Sequence, residues 1–228
     1  MKQIVFLKQV PASTQISIDP VTHTLVRHGN KSQTNPDDLH ALRMAVEIRN
    51  RVGGEIIAVT MGPLQAEAVL REALLYGADE AILLSDRMFA GSDTWSTAYV
   101  LSAAVKKIGN ADLLLFGKQA IDGDTAQVGP GVAGKLDIPQ LTEVQSVLDI
   151  SAANIVVKKS FSYTALHFSL CIHRKQRGKY VACSFSARLG GCAAKENNVL
   201  GCKLIERRNC IPGFEWFAYK SGKHTCHI

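Results

Sequence analysis

Between Gly117 and Pro130 the chain gathers small, acidic and amide residues in one stretch: Gly-Lys-Gln-Ala-Ile-Asp-Gly-Asp-Thr-Ala-Gln-Val-Gly-Pro. It follows directly on an apolar run at 112–116. These residue types suit binding rather than bond breaking. Gly117 and Gly123 let a backbone approach a ligand closely. Thr125 is expected to open a helix, whose N–H groups and hydroxyl hold a phosphate. Asp124 repels that phosphate but accepts from a ribose hydroxyl or an adenine amine. The same residues also suit a plain strand–helix connection with Asp124 as N-cap, so both readings stand at this point.

Two other stretches have the same character: Thr60-Met61-Gly62-Pro63, and Ser85-Asp86 leading to Gly91-Ser92-Asp93-Thr94. Lys8 suits a phosphate contact or a strand-end lysine in solvent. Asn35 reads as a helix cap, with ligand contact as an added role. Arg71 reads as a solvated helix face. His23, His28 and His40 are scattered, without metal spacing. There is no G-x-S-x-G elbow and no Walker A sequence. No nucleophile stands beside a base, and no acid–base pair is visible.

Alternating strands and helices must position these loops. Gln3 to Leu7 is a short apolar strand, and Ser17 to Arg27 has hairpin character. Asn35-Pro36, with Asp37 and Asp38 in the first turn, starts a helix that runs to about Val52 and ends at Gly53-Gly54. Leu39, Leu42, Ala45, Val46 and Arg49 fit its 3.6-residue period. Then come a strand at 55–60, a helix from Leu64 to Tyr76 closed by Gly77, a strand at 81–84, a helix from Thr94 to Ile108 and a strand at 112–116. A helix from Thr125 to Leu136 and strands at 140–148 and 153–161 complete the pattern. Continuous apolar strands alternating with helices predict an α/β fold: a mostly parallel sheet with helices on both faces, Rossmann-like and of adenine-nucleotide-binding type. Ligands of such sheets bind at the carboxyl ends of the strands, where all three polar stretches fall.

Together these segments resemble the β (small) subunit of electron transfer flavoprotein. The match is carried by Lys8-Gln9-Val10-Pro11, Asn35-Pro36-Asp37, Met61-Gly62-Pro63, Leu70-Arg71-Glu72-Ala73-Leu74 with Gly77-Ala78-Asp79, and above all residues 117–124. It covers about residues 1–160. The resemblance implies a carrier subunit rather than an enzyme, paired with an α subunit that holds most of an FAD. The pair shuttles electrons between flavin dehydrogenases, such as the acyl-CoA dehydrogenases of fatty acid oxidation, and a downstream acceptor. The β subunit of the ordinary branch binds structural AMP. That of the electron-bifurcating branch binds a second FAD that takes a hydride from NADH. Asp122 to Pro130 and Gly91 to Trp95 resemble the bifurcating version. Gly123 and Ala126 are small enough to leave room for a diphosphate. The resemblance places the nucleotide on Leu7, Lys8, Asn35, Met61, Gly62, Asp93, Thr94, Gly117, Lys118, Gln119, Gly123, Asp124, Thr125, Ala126, Gln127 and Val128. Two other classes stay open. A nucleotide hydrolase or ligase would need a Ser-Gly-Gly-x-Asp signature where Lys8 to Pro11 stand. A partner-free AMP-binding module would lack a flavin partner.

The last quarter breaks with the rest. Of 228 residues, 1–170 hold 15 Lys+Arg and 17 Asp+Glu, whereas 171–228 hold 11 and 3. All six cysteines lie in the second part: Cys171, Cys183, Cys192, Cys202, Cys210 and Cys226. The basic excess is therefore not a nucleic-acid-binding face of the domain, and no cysteine pair has C-x-x-C zinc spacing. We expect an α/β nucleotide-binding domain at 1–165 and, at 166–228, an irregular basic tail in place of the partner-binding loop and arm. Four motifs of the family's C-terminal region reappear in order when codons for this tail are read one nucleotide later. Trp216 to Ser221, for instance, permits Gly-Ser-Pro-Thr-Lys-Val. The tail is thus expected to be an out-of-frame translation. No apolar run reaches the length of a membrane span, and no signal-peptide cleavage pattern follows the first strand. The expectation is a bacterial cytoplasmic protein.

Overall fold

The computed structural model describes residues 1–12, 17–18, 25–26, 32–151, 154–159, 163–167, 182–185, 203–211 and 214–220. Strand β1 (Lys2–Phe6) leads into β2 (Gln9–Pro11), which pairs antiparallel with β5 (Ser32–Thr34). Between them β3 (Ser17–Ile18) and β4 (Leu25–Val26) pair antiparallel, as the hairpin reading expects. Helix α1 (Pro36–Val52), β6 (Glu55–Met61), α2 (Glu67–Leu75), β7 (Glu80–Ser85), α3 (Thr94–Ile108), β8 (Leu113–Gly117) and α4 (Val128–Leu136) follow. Then come β9 (Gln140–Ile150), β10 (Asn154–Lys159), β11 (Tyr163–His167), β12 (Ala182–Phe185), β13 (Lys203–Ile211) and β14 (Phe214–Lys220).

Strands β8, β1, β6 and β7 lie side by side in that order, all parallel. The chain runs outward from β1 through β6 to β7, then returns to the other side of β1 as β8. The order therefore switches between β1 and β8. Both faces of this sheet are covered, which is why its strands read as continuous apolar runs. Val5, Ile56, Ala58 and Leu115 pack with α1 and α2; Ile4, Phe6, Val59 and Phe116 pack with α3 and α4. Antiparallel β9, β10 and β11 extend one side of the sheet.

Several details depart from the sequence reading. The buried stripe of α1 is Asp38, Ala41, Leu42, Ala45 and Ile48; Leu42 and Ala45 lie where the expected period puts them, whereas Leu39, Val46 and Arg49 are only partly covered. The helix expected from Leu64 begins as a 3₁₀ turn, Leu64–Ala66, before α2. Gly77 ends α2 with φ 110°, where a side chain is strained. Helix α4 starts at Val128, not Thr125: Asp124 and Ala126 both have positive φ (53° and 54°), which no helix tolerates. Parts of the tail are strands where irregular chain was expected. Strand β12 sits parallel between β8 and β9, and β14 runs antiparallel to β7. The Phe-Glu-Trp-Phe-Ala-Tyr-Lys sequence of β14 is rich in residues that favour strands, which a search for strict alternation misses. The other tail residues, including Cys171, Cys192, Cys202 and Cys226, lie outside the described residues.

Candidate functional site

A cleft of about 420 Å³ opens at the carboxyl ends of β1, β6 and β8, at the switch between β1 and β8. Its apolar floor includes Phe6, Val59, Leu101 and Phe116. The Phe6 and Phe116 rings stack 4.3 Å apart, within 6° of parallel. Gly129 lies against that stack, where an added Cβ would stand 3.3 Å from the Phe116 ring. The walls are Leu7 and Lys8, Met61, Phe89, Gly91 to Thr94, two runs of the long loop, 117–120 and 123–127, and the start of α4 at Val128 and Gly129.

Two helices point their N-termini at the cleft, and they differ. Asp93 caps α3, its Oδ1 accepting the Ser96 N–H at 2.7 Å. That bond holds the Asp93 carboxyl below its usual range. The positive end of α3 is thus already matched by its own anion. Helix α4 has Gln127 at its N-cap position, with no side-chain cap bond. The Gln127 Oε1 instead accepts the Thr94 hydroxyl at 3.2 Å. The first-turn N–H groups of Val128 and Gly129 have no acceptor inside the helix, and Pro130 has no N–H. The α4 terminus is therefore the one suited to an external anion.

The loop between β8 and α4 is held from beneath by the start of α1. Asp38 is buried; its Oδ2 accepts the Lys8 N–H at 2.8 Å and its Oδ1 the Gly117 N–H at 3.1 Å. Burial outweighs these bonds and pushes the Asp38 carboxyl up to about 7. Asn35 occupies the N-cap position of α1 but makes no cap bond. Its Nδ2 donates to the Gln119 carbonyl at 2.8 Å, and its Oδ1 accepts the Ile121 N–H at 3.2 Å. The Lys8 ammonium is paired with Asp122 at 2.7 Å, so it is neither an isolated phosphate ligand nor a lysine lost in solvent.

Of the residues expected at the site, Leu7, Lys8, Met61, Asp93, Thr94, Gly117, Lys118, Gln119 and the run from Gly123 to Val128 line this one cleft. Asn35 and Gly62 do not. Asn35 is fully buried beneath the loop, and the Gly62 N–H bonds the Leu84 carbonyl at the head of a turn. Asp124 does not cap α4, because it lies four residues before Val128 with a left-handed backbone. Arg71 is exposed and pairs with Glu67 one turn away, as a solvated helix face. Sequence reading missed Asp38, Phe89 and the Phe6–Phe116 floor. Asp38 had a visible signal: it sits on the apolar stripe of α1, three and four residues before Ala41 and Leu42. Among the described residues no group of His, Cys, Asp and Glu could hold a metal ion, and no helix is long and apolar enough to cross a membrane.

Comparison with known proteins decides the family. The family model described as "Electron transfer flavoprotein domain" matches residues 22–175. The chain belongs to the electron transfer flavoprotein family. It is 52% identical over 160 residues to the electron transfer flavoprotein subunit beta of Thermoanaerobacterium thermosaccharolyticum, covering 70% of this chain and 61% of that protein. It is 53% identical over 162 residues to the protein FixA of Bradyrhizobium diazoefficiens, covering 69% and 56%. The caffeyl-CoA reductase–Etf complex subunit CarD of Acetobacterium woodii is 51% identical over 148 residues, covering 64% and 56%. The chain thus spans about three fifths of the length of these flavoprotein relatives. The family match ends at residue 175, close to the composition break at 171.

Proposed function

We propose that this chain is the β subunit of a heterodimeric electron transfer flavoprotein, an electron carrier that binds an adenine nucleotide in the cleft at the β1–β8 switch. The observation that carries this reading is the α4 N-terminus. It opens into a cleft whose floor is apolar and aromatic, so one site offers both a phosphate-binding end and a surface for a flat ring.

The residues fit such a ligand. Val128 and Gly129 offer backbone N–H groups to a phosphate. Gly123, Ala126 and Gly129 lack bulk along the loop, which favours a diphosphate. Asp124, exposed at the rim, suits a ribose hydroxyl or an adenine amine. Leu7, Lys8, Met61, Asp93, Thr94, Gly117, Lys118, Gln119, Thr125 and Gln127 complete the walls. The chain's own part is to bind, orient and shield the nucleotide, while a bound flavin supplies the electron chemistry.

The ligand we favour is a second FAD, serving NADH-dependent bifurcation. Partners are then an α subunit that holds most of the other FAD and flavin dehydrogenases such as acyl-CoA dehydrogenases, in the bacterial cytoplasm. A second reading, structural AMP, is favoured by the cleft volume. At about 420 Å³ it falls low in the range of roughly 300–1,000 Å³ typical of small-molecule sites. A cofactor count separates the two. The chain is coexpressed with its large subunit, the complex is denatured, and released FAD and AMP are quantified. Two FAD and no AMP per heterodimer is the expected result; one of each makes this a plain carrier subunit.

A further inference from the structure

Asn35 is fully buried at the head of α1. An asparagine there ordinarily caps its own helix, yet this one makes no cap bond. Its amide faces the 117–122 loop, donating to the Gln119 carbonyl at 2.8 Å and accepting from the Ile121 N–H at 3.2 Å. That is the bonding of a neighbouring strand, supplied by one side chain. Its backbone N–H donates to the Lys8 carbonyl at 2.9 Å. One residue therefore joins the end of β1 to the loop after β8, across the strand switch. Asp37 and Asp38 bond the same loop at the Gln119 and Gly117 N–H groups. Gly117 to Ala120 line the cleft; Asn35 does not.

We propose that Asn35 is the positioning residue of the nucleotide cleft: its amide fixes the 117–122 loop and so sets nucleotide affinity without touching the ligand. This inference rests on the adenine-nucleotide reading above. The side chain must donate and accept at once. Alanine does neither. A carboxylate accepts from Ile121 but sets an anion against the Gln119 carbonyl. A protonated carboxylic acid again donates and accepts. Asn35→Asp should therefore be deficient at high pH and recover at low pH, which Asn35→Ala cannot do.

The test is the affinity of the full chain for AMP, by calorimetry at pH 8 and pH 5.5. The wild type, Asn35→Ala, Asn35→Asp and Thr34→Val are compared. Thr34 is a matched control, buried beside Asn35 but bonded through its hydroxyl to Glu72, away from the cleft. Each variant is read as its ratio to wild type at the same pH, which cancels titration of AMP; the Asn35 side chain also bonds the Asp38 carboxyl, so the Ala variant reports the change in Asp38 that both variants share. Both Asn35 variants should bind about tenfold more weakly at pH 8, the scale of one unsatisfied buried group. The Asp deficit should shrink at pH 5.5 and the Ala deficit should not. Thr34→Val should stay near wild type. Should an Asn35 variant fail to fold, amide exchange of wild-type Ile121 is the second readout, expected to slow when AMP binds. Unchanged AMP affinity in Asn35→Ala, or Ile121 exchange indifferent to AMP, overturns the positioning role alone. Absence of binding of both AMP and FAD by the wild type overturns the nucleotide reading and this inference with it.

Discussion

The Oδ1 of Asp38 accepts the Gly117 N–H at 3.1 Å, and a Cβ on residue 117 would overlap that same oxygen and lie 2.7 Å from the Asp37 backbone carbon. The glycine is thus required by close approach, not by a left-handed backbone. Gly117→Ala should cost roughly 1–3 kcal/mol, the range for forced overpacking. Gly134 is the contrast, exposed within α4 with open space where a Cβ would go. Gly134→Ala should stabilise by up to about 1 kcal/mol. Urea unfolding of both variants checks the pair.

Asp38 also gives the domain a pH signature. Burial raises its carboxyl from 3.8 to about 7, so folding favours the protonated form. The stability it contributes is complete below about pH 3.8, falls as pH rises, and is gone above about pH 7. Nearby charges are Asp37 on the same helix and the Lys8–Asp122 pair over the loop. In Asp38→Asn this fall should vanish. The difference in unfolding free energy between wild type and variant should change by at most about 1.4 kcal/mol per pH unit between pH 4 and 7. Parallel profiles would contradict the assignment.

What was legible in the sequence was local. The apolar runs of β1, β6, β7 and β8 announced buried parallel strands, and α3 has the bounds its cap and period foretold, Thr94 to Ile108. What was not legible is non-local. Asn35 bonds a carbonyl 84 positions away and Lys8 an acid 114 positions away, so neither pattern of spacing reveals them. The late start of α4 depends on positive φ at Asp124 and Ala126, which residue type does not announce. The cleft was found from strand ends; its aromatic floor was not, because Phe6 and Phe116 read simply as core.

At the α3 terminus, the Asp93–Ser96 bond should behave as an ordinary cap. Asp93→Ala should lower the urea midpoint of unfolding, and Asp93→Asn far less, since asparagine caps as well. Equal losses in both would show that the charge, not the cap geometry, matters.

The tail makes a claim about the gene. Resequencing across codons 155–170 should reveal a single-nucleotide shift, with the restored frame returning the family's C-terminal motifs. An intact frame contradicts the out-of-frame reading.

The central claim, that an adenine nucleotide occupies the cleft at the β1–β8 switch, is tested most directly by photolabelling. The full chain is irradiated with 2-azido-AMP, digested and mapped by mass spectrometry. Label confined to residues 6–8, 89–94 or 117–129, and suppressed by excess AMP, is the expected result. Specific label elsewhere, with the cleft peptides unmodified, would contradict it.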